Sequence, residues 1–311
     1  MDKTATRKNG DGIFRALTML FAFSILIILL IMAGEMVWES LPSLRKFGWG
    51  FITGSDWDAV QGSFAALPYL YGSIVSSILA ILLATPLSVG TALFITELAP
   101  HKVGVVTASL VELLAAIPSV IYGLWGILVM TPWLQTTIEP FLIKHLGFLP
   151  FFQGAPYGVS MLAAVFILMI MIIPIITSIT KEVLLAVPQS QKEAAFALGA
   201  TRWEMIRMAV IPYGRSGILG AVILGLGRAI GETMAVTMVI GNTPQISLSL
   251  LSPAYTMPSV IANEFAEATS KLHTASLMEI GLILLVVTLV INFMARLLLW
   301  SVTRRWKGGT P

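Results

Sequence analysis

Residues 188–212 read PQSQKEAAFALGATRWEMIRMAVIP, a polar interruption between two long apolar runs, and its reading decides the fold. Ser190-Gln191-Lys192-Glu193 and Thr201-Arg202-Trp203-Glu204 both have capping-box spacing. In each, the hydroxyl can cap the amide three residues on while the glutamate reaches back. Pro188 precedes the first box, and Gly199 lies between the two, where it suits a left-handed helix end. Pro212 lacks an amide donor and is expected to stop the second helix. The segment is therefore predicted to form two short helices with a tight turn, lying along a membrane surface. Isolated helices below about 12–15 residues are marginal in water, so flanking spans or a partner protein must support these. Caps alone also fit an ordinary connector, because the S/T-x-x-E spacing is common.

Working outward, apolar stretches at about 157–180 and 214–242 flank this segment, and four more lie at about 14–38, 71–97, 103–131 and 273–300. Each is long enough to cross about 30 Å of hydrocarbon as a helix, some with tilt. The composition agrees: of 311 residues, 57% are hydrophobic and 11% charged, whereas soluble domains average about 25% charged. Lys3, Arg7 and Lys8 precede an apolar run from Ala16 to Gly34. A secretory signal core runs about 7–15 residues, so a retained first span is expected. The fold class is an all-α membrane protein with about six transmembrane helices.

Basic residues set the expected direction. With the N-terminus in the cytoplasm, 14 of the 19 Lys and Arg fall in cytoplasmic segments and four, Arg45, Lys46, Lys144 and Lys271, fall outside. Arg228 lies within a span. Such a bias predicts both termini in the cytoplasm. Trp38, Trp133 and Trp300 lie near span ends, as interfacial tryptophans do. The outside loops, about 39–70, 132–156 and 244–272, are rich in Gly, Pro and aromatics and carry Asp56, Asp58, Glu139, Glu264 and Glu267. The chain divides into 1–70 (cytoplasmic segment, first span and outside loop), a core transmembrane domain over 71–300, and a cytoplasmic tail over 301–311.

Several chemistries are excluded. The absence of cysteine removes disulfides, thiolate metal sites and cysteine nucleophiles. His101, His145 and His273 stand far apart, with no carboxylate or second histidine at ligand spacing, so each reads as a satisfied or solvated side chain and no metal is expected. The basic residues sit between apolar runs rather than on one exposed surface, which argues against nucleic acid. No GxxxxGK[ST] phosphate loop occurs, so the chain is not expected to hydrolyse ATP, and it is expected to bind no cofactor.

The stretch Gly225-Leu-Gly-Arg-Ala-Ile-Gly-Glu232 carries the charges that need explaining. Arg228 and Glu232 are four apart, so both are expected to project from one face of the fifth span. A charge at the bilayer centre costs about 2.5–3.5 kcal/mol on insertion scales. The face should therefore meet a polar path or partner groups rather than lipid. Arginine's planar fork suits tetrahedral oxyanions, and Glu232 can hold it when the site is empty or accept a proton. A structural ion pair locking a helix interface is the other reading. Gly227 and Gly231 form a small-xxx-small pattern expected at a helix–helix contact. Glu112 and Glu279, in or near spans, are read as structural hydrogen-bonding groups.

Glu193-Ala194-Ala195, then Gly199, ending at Ile211-Pro212, resembles the E-A-A coupling motif of ABC-importer permeases, in which three residues separate E-A-A from G and nine more precede I-x-L-P. Ala209 and Ile211 depart from its isoleucine and leucine but stay apolar. Further segments, Glu97-Leu98-Ala99-Pro100, Glu112–Gly123, Gly225–Asn242, Asn263–Ala268 and His273–Leu284, resemble the PstC-type permeases of phosphate-specific ABC importers. That resemblance implies a type I importer permease fold in the bacterial plasma membrane. It also implies a PstA-type sister permease, a PstB-type ATPase dimer using ATP and Mg, and an extracytoplasmic PstS-type phosphate-binding protein. By residue it implies a substrate path at Arg228 and Glu232 and ATPase coupling at Glu193, Ala194, Ala195, Gly199 and Pro212. Permeases for sulfate or molybdate, a proton-coupled secondary carrier, and a non-transporting scaffold are the competing readings.

Overall fold

The computed structural model describes residues 3–307, so the extreme ends of the expected cytoplasmic segments, residues 1–2 and 308–311, lie outside the described residues. The chain is helical throughout its regular structure, in the order α1 (Lys3–Phe47), α2 (Leu67–Leu98), α3 (His101–Ala116), α4 (Ser119–Leu146), α5 (Met161–Leu185), α6 (Gln189–Ala197), α7 (Arg202–Gly231), α8 (Met234–Val239), α9 (Met257–Glu264) and α10 (Lys271–Lys307). Five helices, α1, α2, α5, α7 and α10, are long and apolar enough to cross a membrane, and α3 with α4 supplies a sixth crossing if the bent pair counts as one.

The third apolar stretch, over 103–131, is divided by a sharp bend: α3 and α4 meet at 93°. Pro118 is the cause. A residue before proline is pushed out of the α region, and Ile117 takes φ −68°, ψ 128°. The freed Leu114 carbonyl accepts the Tyr122 hydroxyl across the break at 2.8 Å. Two other boundaries shift as well. The first helix continues to Phe47, and the helix after the bend continues to Leu146, so parts of the expected loops 39–70 and 132–156 are helical.

The core lies around α5, whose most apolar window is the most buried of the spans. Ile167, Leu168, Ile172 and Ile176 of α5 pack with Ala80 and Ala84 of α2, Ala221 and Ala229 of α7, and Val236 and Val239 of α8. Lipid tails are as apolar as these side chains, so helix association rests on close packing rather than water exclusion. The alanines supply that closeness. Gly225 does too, since a Cβ there would stand 2.8 Å from the Ile176 side chain.

A second cluster closes the end of the bundle opposite residues 188–212, with Phe51, Phe64, Tyr69, Tyr255, Met257 and Leu277. Gly72 is fixed there by the backbone: a Cβ would lie 2.0 Å from the Tyr255 carbonyl oxygen. Burial pushes the Tyr255 phenol up to about 12, so it stays neutral and accepts the Asn263 amide at 2.9 Å. A third cluster, at the 188–212 end, joins Leu93, Leu184, Val187, Ala195, Met205 and Ile206. By contrast, α1 packs along α10, with Ser43 and Ser276 hydroxyls 3.1 Å apart, and exposes Leu20, Phe21, Phe23 and Ile25. Such an apolar face suits lipid.

Candidate functional site

The 188–212 segment forms one short helix and the start of a long one. Pro188 is the residue before α6, and the helix begins at Gln189. Ser190 therefore falls inside the first turn, and the expected Ser190–Glu193 capping box does not form. The Thr201–Glu204 box does form, with Glu204 Oε2 accepting from the Thr201 amide at 2.7 Å. Gly199 adopts φ +82°. The Ala200 amide bonds the Ala195 carbonyl and the Gly199 amide bonds Phe196, which is the Schellman arrangement that satisfies a helix end.

Pro212 does not stop the second helix, contrary to expectation. The helix runs unbroken from Arg202 to Gly231 because a widened π turn at Ile206–Val210 changes the hydrogen-bond register just ahead of the proline. Pro212 then sits at the first positions of the regular α stretch, where its missing amide has no partner to lose. The expected pair of short surface helices is thus one short helix, α6, joined by a tight turn to the base of a span. On α6, Lys192 and Ala195 point into the protein, while Glu193, Ala194 and Phe196, with Leu198 just past the helix end, are exposed. Gly199 has open space around it. Of the residues the coupling motif singles out, Ala195 packs in the third core cluster, whereas Glu193, Ala194 and Gly199 face away from this chain.

Arg228 and Glu232 are not on one helix face. The helix ends at Gly231, and Glu232 is extended at φ −70°, ψ 124°. The sequence pattern hid this break because the residues on both sides are apolar and small. Glu232 Oε1 instead accepts the Ala235 amide at 3.4 Å, at the start of α8. Among the described residues no ion pair joins Arg228 to Glu232. Arg228 is exposed and Glu232 half-buried on a surface this chain leaves open. Gly227 and Gly231 share that surface, with nothing within 4 Å of a Cβ built at either, so neither packs a helix of this chain. The close glycine contacts of α7 fall instead at Gly217, against Val183, and at Gly225. Arg228 lies within electrostatic reach of Tyr122, which lines a cavity of about 340 Å³ with Leu114, Ile117, Ile121, Trp125 and Ile170.

Other acids take structural places. Glu112 accepts from Lys181 at 2.9 Å, in keeping with a structural role. Glu279 is 2% exposed along the α1–α10 contact. Glu139, expected in an outside loop, is fully buried and accepts from the Gly158 amide at 2.9 Å and the Ser160 hydroxyl at 3.0 Å, which fixes the entry to α5. His273 does meet a carboxylate: its Nε2 lies 3.0 Å from Glu264 Oε2, which also accepts from the Trp57 indole at 2.9 Å. Glu97 pairs with Lys192. Partners nine to 207 residues apart leave no local signature, so sequence spacing missed these contacts.

Five long apolar helices around a bent pair, with a capped polar helix on one end and an arginine on an open face, define a helical multi-pass membrane protein. Residues 88–304 match the family of binding-protein-dependent transport system inner membrane components. The chain is 47% identical to the phosphate transport system permease protein PstC of Mesorhizobium japonicum, covering 95% of this chain and 91% of that protein. It is 43% identical to PstC of Haemophilus influenzae, covering 93% of each chain, and 38% identical to PstC 2 of Mycobacterium tuberculosis, covering 93% and 91%. The fold is similar to a chain of a bacterial alginate ABC transporter solved with its periplasmic protein, with TM-score 0.60 and 16% identity over 94% of this chain and 96% of that one. It is also similar to the MetNI methionine ABC transporter, with TM-score 0.53 and 19% identity over 76% and 94%. The chain belongs to the PstC family of multi-pass membrane permeases.

Proposed function

We propose that this chain is one half of an ATP-driven phosphate importer in the bacterial plasma membrane, with both termini in the cytoplasm. The observation that carries the reading is the break at Gly231–Thr233, beside which Arg228 is exposed and Glu232 half-buried on a face left open among the described residues. A charged arginine is not stable against lipid, so that face belongs against a sister permease, and the seam between the two subunits is the anion path. Arg228 supplies a planar, permanently charged fork for phosphate oxygens. Glu232 supplies a carboxylate beside it that can take a proton from the anion or hold the arginine between transport events. Gly227 and Gly231 leave room along the seam for the sister helix.

The exposed face of α6, with Glu193, Ala194 and Phe196, ending at Gly199, is the docking face for a PstB-type ATPase, where ATP and Mg act. Pro212 contributes at the base of α7, as a rigid joint between docking helix and span. A PstA-type subunit completes the path, and a PstS-type binding protein delivers phosphate from outside.

The test is phosphate uptake into vesicles holding this chain with those partners. Arg228→Gln is expected to lower uptake at least about tenfold while the complex still purifies intact. Normal uptake by the assembled variant overturns the assignment of Arg228 to the path.

A further inference from the structure

Glu97 ends α2, in a widened turn at Phe94–Leu98, and Lys192 lies on the inward side of α6. Their side chains meet at 2.6 Å, Lys192 Nζ to Glu97 Oε1, with the two side chains only 11% and 6% exposed. Beside the pair lies a cavity of about 260 Å³ lined by Thr96, Gln189, Phe196 and Arg202, among others. A buried ion pair is weak support for stability: replacing both partners with apolar side chains is often neutral or stabilising, whereas removing one leaves an uncompensated charge. What such a pair does well is fix one arrangement of two elements. Here the elements are the helix whose other face carries Glu193 and Phe196, and the span that packs most extensively on α5 at the centre of the bundle.

We propose that the Glu97–Lys192 pair is the strut that carries movement of α6 into α2, so that the two are positioning residues for transport. The third core cluster can slide, because its contacts are apolar and non-directional: Leu93, Val187, Ala195 and Met205. A charge-assisted hydrogen bond is directional. The pair therefore converts a rolling contact into a fixed joint and makes a push on α6 a push on the end of α2. Glu97 opens the Glu97-Leu98-Ala99-Pro100 segment. Pro100 ends the turn at φ −56°, ψ 145°, and α3 begins at His101. Movement at this joint therefore also reaches α3 and the bend beyond it.

The inference rests on α6 being the ATPase-docking helix, and the experiment separates the two. Phosphate taken up per ATP hydrolysed is measured in vesicles with the whole complex, together with ATPase retained on purification. Glu97→Gln and Lys192→Met are expected to keep the ATPase bound but to lower phosphate per ATP about tenfold. The exchange of both residues, Glu97→Lys with Lys192→Glu, is expected to restore it to within about threefold of the parent. If the single variants fail to assemble, Glu97→Leu with Lys192→Met removes both charges and leaves none unpaired. That variant is expected to assemble and to remain uncoupled. Parental phosphate per ATP in the doubly neutral complex overturns the strut. Glu193→Arg on the outward face tests the docking reading separately: retained ATPase and normal uptake there defeat the docking reading. Loss of ATPase there, with normal coupling in the doubly neutral variant, defeats the strut alone.

Discussion

Arg228 and Glu232 show how much a residue type reveals and how little it reveals about geometry. Their presence in an apolar run marks a place where a polar neighbour is expected, and Arg228 is exposed on the surface of this chain. Their spacing suggested a shared helix face, but the helix ends one residue before Glu232. A break of this kind frees backbone amides and carbonyls, which is tolerated in a bilayer only where protein or a polar cavity satisfies them. The Ala235 amide takes Glu232 as its partner. Glu232→Gln keeps an acceptor oxygen for that amide while removing the charge, so it separates the cap from the transport role. The complex is expected to assemble with unchanged thermal stability and to take up phosphate more slowly. An unchanged uptake rate leaves Glu232 with the cap alone. Arg228→Lys keeps the charge without the planar fork and is expected to retain more uptake than Arg228→Gln, measured in the same vesicles.

At the scale of elements, the ends of α6 were legible because they depend on local chemistry. Gly199 was expected at a left-handed helix end and is there, and Thr201 and Glu204 form the expected box. The Ser190 box failed because Pro188 had already started the helix. The effect of Pro212 was hidden for a subtler reason: a π turn changes register without changing polarity, so no hydrophobic pattern records it. The bend at Pro118 has a local cause, a proline inside an apolar run, but its 93° angle has no local signature. Gly199 supplies the prediction at this scale. Since no atom lies within 4 Å of a Cβ built there, substitution acts through backbone strain alone. An L-residue in the left-handed region loses roughly 1–2 kcal/mol, with Asn the least affected. Gly199→Val is expected to release or uncouple the ATPase, and Gly199→Asn to retain most coupling, as read by ATPase co-purification and uptake. Equal behaviour of the two would count against the turn geometry as the reason for glycine.

For the whole molecule, the apolar stretches predicted about six crossings, and the described helices supply five plus a bent pair. What no pattern could give is which spans lie at the centre. The α5 helix is buried on most sides, while α1 exposes apolar side chains and lies along α10. Both read simply as apolar runs, because in lipid a buried face and an outer face have similar composition. Long-range packing also explains Gly72. Its backbone meets Tyr255 from 183 residues away, and Gly72→Ala is expected to destabilise the assembled protein by about 1–3 kcal/mol, measurable as a lowered unfolding temperature in detergent. The proposed reading of the open face at Arg228 makes the chain one half of a permease, worked by other subunits. The most direct measurement of that account is uptake of labelled phosphate into vesicles containing this chain and its sister permease, with and without the ATPase. Uptake that appears only with the ATPase and ATP is the expected result; phosphate accumulation by the permease pair alone would contradict it.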